Sequence, residues 1–164
     1  MQGKVDVALL RREKETTGLA FKFLIAEPLI VVVPATHRLA AWKTVRPQDL
    51  EREVFVGPAQ FAPMLKLVIK DYAATVGITL QQRYEAEDIY GGMSLLVSIG
   101  GFTPLPLYVQ NMLIPSVVAR PLQGEPPTID LVMGYNKSNT SALLKRFVSR
   151  ADELVASVRR QNAL

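Results

Sequence analysis

Glu27-Pro28-Leu29-Ile30-Val31-Val32-Val33-Pro34 is the most strand-like stretch of the chain. Leu29 to Val33 is continuously apolar and rich in β-branched side chains, and Pro34 stops it. A strand with apolar side chains on both faces must be covered on both, which is the habit of a parallel sheet held between helices. Upstream, Val5 to Leu10 reads as a short strand interrupted by Asp6 and followed by the charged stretch Arg11 to Glu15. Thr16-Thr17-Gly18 then turns the chain into a further strand, Leu19 to Ala26. Downstream, Pro34 to Lys43 is a loop, Arg46 to Leu50 a short helical turn, and Val54-Phe55-Val56 a brief strand stopped by Gly57-Pro58.

Helices alternate with these strands. Leu65, Val68, Ile69 and Tyr72 recur at i, i+3, i+4, i+7, which predicts a helix over Met64 to Val76 with Gly77 in the C-terminal cap position. Ile78 to Tyr84 alternates as a strand. Asp88 is suited to cap a helix from Ile89 to Ser98 that Gly100-Gly101 ends. Phe102 to Leu107, Val117 to Pro121 and Ile129 to Tyr135 read as strands. Ser141 to Arg160 reads as one long amphipathic helix with Leu144, Phe147, Val148, Ala151, Leu154, Val155 and Val158 inward. The alternation predicts α/β architecture with largely parallel pairing.

Composition narrows the function. With 164 residues, 49% of them hydrophobic and 21% charged, the chain is sized for one domain or two small lobes and is not disordered. The net charge of +4 is mild and scattered, with only a loose basic cluster from Lys145 to Arg160, where a nucleic-acid binder shows a denser stripe. No cysteine is present, so disulfides, thiolate metal sites and cysteine nucleophiles are excluded. A membrane-spanning helix needs about 20 apolar residues, and the longest run here is Leu29 to Pro34. The first six residues lack the apolar core of a secretory signal, so the expected location is cytoplasmic.

Few residues suggest catalysis. His37, the only histidine, sits in a loop with no nucleophile or orienting carboxylate at a telling spacing, and reads as a loop-closing residue. Gly91-Gly92 and Gly100-Gly101 match neither phosphate-loop pattern. Glu85, Glu87 and Asp88 suit the positive end of the following helix better than a metal ion. No catalytic residue, metal site or cofactor is expected. Arg11 differs, because it ends a strand where open α/β sheets place ligands. There it either holds a carboxylate by a paired, charge-assisted contact or is simply solvated beside Arg12, Glu13 and Lys14. The loop Gly57 to Pro63 likewise offers Gln60 as a hydrogen-bonding group and Phe61 as an apolar wall, or is a turn with one buried aromatic.

Several segments together resemble the effector-binding domain of LysR-type transcriptional regulators. Gly3-Lys4-Val5-Asp6-Val7-Ala8 looks like that family's G-x-[IL]-D-[AV]-[AG] strand entry. Glu27 to Pro34, followed by His37-Arg38-Leu39-Ala40, is similar to its E-x-L-x-[LV]-x-[LV]-P-x-x-H-P-L-A stretch, with Arg38 in place of the usual proline. Asp49-Leu50 matches the D-L that follows. Leu96 to Pro106 resembles V-A-x-G-x-G-[IV]-x-[LI]-[LV]-P, with Ile99 where the first glycine often stands. In order and spacing these motifs cover nearly the whole chain.

The resemblance implies a periplasmic-binding-protein-like type 2 fold: two α/β lobes, residues 1–26 with 133–164 and residues 27–132, and a small effector in the cleft between them. It implies that the effector is a small carboxylate, aromatic or a ring-cleavage diacid, contacted by Arg11, Gln60, Phe61, Asp88 and Ile89, with Ser98 close by as support. It also implies a homodimer or tetramer, and DNA contact only through an N-terminal helix-turn-helix. Against the family pattern the chain starts at a later strand, so that DNA-reading part and the first strand-helix unit are expected to be missing. Three other classes compete. A solute-binding protein of the same fold should carry a secretory signal or lipid-attachment cysteine. An α/β enzyme should lose turnover with a named side chain, His37 first. A truncated oligomerisation module should pair with a full-length relative.

Overall fold

The computed structural model describes residues 5–11, 17–60 and 62–161. The chain forms two compact units, Met1–Ala26 with Asp130–Leu164, and Glu27–Ile129. Two strands run through both: β2 (Leu19–Pro34) and β7 (Thr128–Asn136).

The larger unit is built on the second half of β2. There β2 pairs with β5 (Thr103–Pro106) on one side and β6 (Val117–Pro121) on the other, both antiparallel. A second, parallel pair is made by β3 (Phe55–Pro58) and β4 (Gln82–Ala86). Phe102 ties this pair to β5: its N–H donates to Val54 O and its carbonyl accepts from Val56 N, each at 2.9 Å. The alternation along β2 then splits the core into two layers. Leu29, Val31 and Val33 join Phe55, Phe102, Leu65 and Ile69 under helix α1 (Pro63–Val76). Ile30 and Val32 join Val56, Met93 and Leu96 under helix α2 (Ile89–Ile99).

Both helices end as the sequence predicts. Gly77 and Gly100 take φ of +72° and +67°, a region that side chains with a Cβ avoid, and each returns its N–H to the last turn.

In the smaller unit β1 (Val7–Arg11) pairs antiparallel with β7, from Val7 opposite Tyr135 to Arg11 opposite Leu131. Its core gathers Leu24, Met133 and Ala151, with Val7, Leu131, Val148 and Val155 packed around them. Lys22 Nζ reaches Asp152 Oδ2 at 2.8 Å and ties β2 to the last helix.

Three expectations need correction. Pairing is mostly antiparallel, because an apolar run reports that both faces are covered and carries no information on strand direction. Leu19–Ala26 and Leu29–Val33 are one continuous strand through Glu27-Pro28; ladder pairing with β5 starts at Leu29, so the N–H that Pro28 lacks is not needed there. The long C-terminal helix is two, α3 (Ala142–Ser149) and α4 (Ala151–Gln161), with Arg150 between them. Leu144, Val148, Ala151 and Val155 still face inward, but Phe147 is half exposed. The side chains of Leu154 and Val158 lie outside the described residues.

Before β3, Arg46 Nε and Nη2 donate to Asp49 Oδ2 and Oδ1, both at 2.8 Å, at the start of the short turn Pro47–Leu50. That hydrogen bonding holds the Asp49 carboxyl below its ordinary pKa of 3.8. A depressed folded-state pKa contributes stability that is complete above the unfolded value and is lost as pH falls through the folded one. Asp49→Asn is therefore expected to lower stability slightly at neutral pH, with the difference from the parent vanishing below that range in urea melts.

Candidate functional site

Because β3 and β4 are parallel and, after a register shift between Phe55 and Val56, run in step to Pro58 opposite Ala86, their C-terminal ends lie side by side. The pairing extends one step further, where Ala59 N–H donates to Ala86 O at 3.2 Å. From this shared edge the chain turns into α1 on one side and α2 on the other, so two helix N-termini stand at the end of a parallel pair. This is where open α/β sheets hold ligands.

The two helix ends differ. The first turn of α2 is closed: Asp88 Oδ1 accepts from Gly91 N–H at 2.7 Å, and the carboxylate meets the positive helix end. At α1 no side chain caps Ala62, and no acidic residue stands in the first turn. Lys66 N–H closes on Ala62 O at 3.1 Å, and Pro63 has no N–H to give. The amides of Met64 and Leu65 have no partner among the described residues. Unpaired N–H groups at a positive helix end form a ready anion site.

The residues singled out from sequence fall in three places. Gln60, exposed, and Asp88 and Ile89 meet at this edge, Ile89 half-buried against the α2 core layer. Phe61 lies outside the described residues. Ser98 stands near the other end of α2, about 15 Å along the helix axis from Asp88, and its Oγ donates to Ser94 O at 3.0 Å. Arg11 ends β1 in the smaller unit, half-buried and opposite Leu131. Sequence reasoning missed the Met64 and Leu65 amides. The signal was there in Ala62-Pro63, a helix start without Ser, Thr, Asp or Asn before it.

His37 closes its loop. Its Nδ1 accepts from Leu39 N–H at 3.2 Å, so the proton sits on Nε2, which donates to Glu53 Oε2 at 3.0 Å. With 7% of the side chain exposed and both nitrogens engaged, it is placed for structure rather than proton transfer to a substrate. Among the described residues no three His, Asp or Glu side chains are grouped to hold a metal ion.

The LysR substrate binding domain family matches residues 1–156. The chain belongs to this family. It is an effector-binding domain of the LysR type, with the periplasmic-binding-protein-like type 2 fold. The Hca operon transcriptional activator HcaR of Escherichia coli (strain K12) is 30% identical over 158 residues, covering 96% of this chain and 53% of that protein. The regulator AlsR of Bacillus subtilis (strain 168) is 24% identical over 153 residues, covering 90% and 49%. The chain thus spans about half the length of the curated regulators it matches. Among solved structures, the effector binding domain of QuiR in complex with shikimate superposes with a TM-score of 0.79 at 18% identity, covering 94% of this chain and 73% of that one. The BenM effector binding domain with benzoate gives 0.79 at 17%, covering 98% and 72%. At such identities the likeness shows the LysR-domain fold alone. The described helices include none long and apolar enough to cross a membrane.

Proposed function

We propose that this LysR-type domain senses a small organic acid, and that its carboxylate is held at the open N-terminus of α1. The observation that carries this reading is the pair of amides at Met64 and Leu65 that have no partner among the described residues, on a helix end without a side-chain cap or an acidic residue in its first turn. Gln60, in the turn leading to that helix, supplies a side-chain hydrogen bond, and Ile89 an apolar neighbour. Asp88 keeps the carboxylate away from α2 by occupying that helix end itself. The family resemblance further implies Arg11 as a residue on which the effector's affinity depends, through a charge-assisted hydrogen bond. Ser98, bonded to its own helix at the far end of α2, makes no contact in this reading.

Two relatives of the same fold are named with shikimate and with benzoate, both carboxylates, which favours an acid of that kind here. Binding shifts the domain between states by as much as the acid prefers one over the other, and no covalent step is involved. DNA contact belongs to another domain of the whole regulator, which assembles as a dimer or tetramer.

A melting-temperature screen of the purified chain against benzoate, salicylate, phenylpropanoates and muconates tests the proposal. One acid is expected to raise the melting temperature saturably, by linkage worth about 2.7 kcal/mol at a hundredfold its Kd. Arg11→Ala is expected to weaken that acid about tenfold or more, as loss of a charge-assisted hydrogen bond does. A cooperative melt that no acid shifts, or an Arg11→Ala chain that binds as tightly as its parent, contradicts it.

A further inference from the structure

The opposite end of the same two strands holds a second feature. Glu51 to Val54, before β3, and Thr79, Gln81 and Arg83, leading into β4, line an open groove of about 390 Å³. It lies at the N-terminal edge of the parallel pair, a strand length of about 13 Å from the open end of α1.

Both carboxylates in the groove are tethered. Glu53 receives His37 Nε2 on one oxygen and the Arg38 guanidinium on the other. Glu51 Oε1 accepts from Thr79 N–H at 3.0 Å, which fastens the segment after α1 to the segment before β3 and fixes the two walls of the groove together. The arginines are not tethered. Arg52 on one wall and Arg83 on the other are exposed, and neither has a hydrogen bond or ion pair among the described residues. With Glu53 balanced by Arg38, two guanidiniums face the single charge of Glu51, and the groove is left net positive.

We propose that this groove is a binding site for a small doubly charged oxyanion of the phosphate class, distinct from the carboxylate end of α1. Two planar donor forks reaching in from opposite walls suit an anion that offers several oxygens, each fork taking two of them. Gln81 and the Thr79 hydroxyl add neutral donors beside them. The volume falls within the range of small-ligand sites, roughly 300–1,000 Å³.

Calorimetric titration of the purified chain with inorganic phosphate, at ionic strength held constant with chloride, tests the assignment. Saturable binding is expected, with Arg52→Ala and Arg83→Ala each weakening it about tenfold. Lys137→Ala, which removes an exposed cation in the other unit, should leave it unchanged. Glu51→Gln keeps an oxygen for the Thr79 amide while removing the opposing charge, and should tighten binding. That gain is one that a damaged fold cannot imitate. The proposal is overturned if a cooperatively folded chain takes up no phosphate saturably, if Lys137→Ala weakens binding as much as the arginine variants, or if Glu51→Gln weakens it.

Discussion

Phe102→Ala is expected to destabilise the larger unit by about 3–5 kcal/mol, the cost of truncating a buried aromatic in a core that cannot collapse around the gap. Phe102 is fully buried, and its ring stacks on Phe55 with centroids 5.5 Å apart. It also belongs to the layer that joins β2 to α1 through Leu29, Val31, Leu65 and Ile69. Its backbone meanwhile holds both hydrogen bonds between β3 and the entry to β5, so the cavity opens where two pieces of sheet are joined. Domains of this size have net stabilities of about 5–15 kcal/mol. The loss should lower the melting temperature by about 6–20 °C in calorimetry. A shift of only a degree or two would mean that Phe102 does not bridge these layers.

Gly101→Ala comes next in expected effect, through crowding instead of a cavity. A Cβ on Gly101 would lie 2.6 Å from Val54 O, the oxygen that accepts from Phe102 N–H. That acceptor is backbone in a buried junction, so relief requires β3 and the approach to β5 to separate. Overpacking of this kind costs about 1–3 kcal/mol. Gly57→Ala is the matched control. There the nearest atoms, at 2.3 Å, belong to the side chain of Gln82, which is exposed and swings away. Urea unfolding should therefore rank Gly101→Ala well below Gly57→Ala in stability. The reverse order would contradict the geometry of the junction. This contact gives a physical reason for the glycine at the end of α2 that the LysR-type pattern contains.

The comparison of Gly101 with Gly57 also shows which parts of the fold were legible in sequence. Local signals read well. Leu29–Val33 reported its own burial on two faces, and Asp88, Gly77 and Gly100 reported the helix ends, because each depends on neighbours within one turn. Strand direction was not legible, since an apolar face packs equally against parallel and antiparallel partners. The break at Arg150 was hidden for a related reason: Leu144, Val148, Ala151 and Val155 keep their spacing across a single disrupted turn. For the candidate site, the position of Gln60 and Asp88 after strands was visible. That they share an edge is a consequence of the β3–β4 register, a pairing between residues some thirty apart that no local pattern encodes. The Met64 and Leu65 amides are harder still to see, because backbone donors carry no letter in the sequence.

The central claim is that a carboxylate is held by the open end of α1. An amide-resolved NMR titration of the chain with the acid that raises its melting temperature tests it most directly. The account predicts saturable shifts concentrated at Gln60, Met64 and Leu65. Saturable shifts elsewhere with Met64 and Leu65 unmoved, for instance confined to residues 51–54 and 79–83, would contradict it.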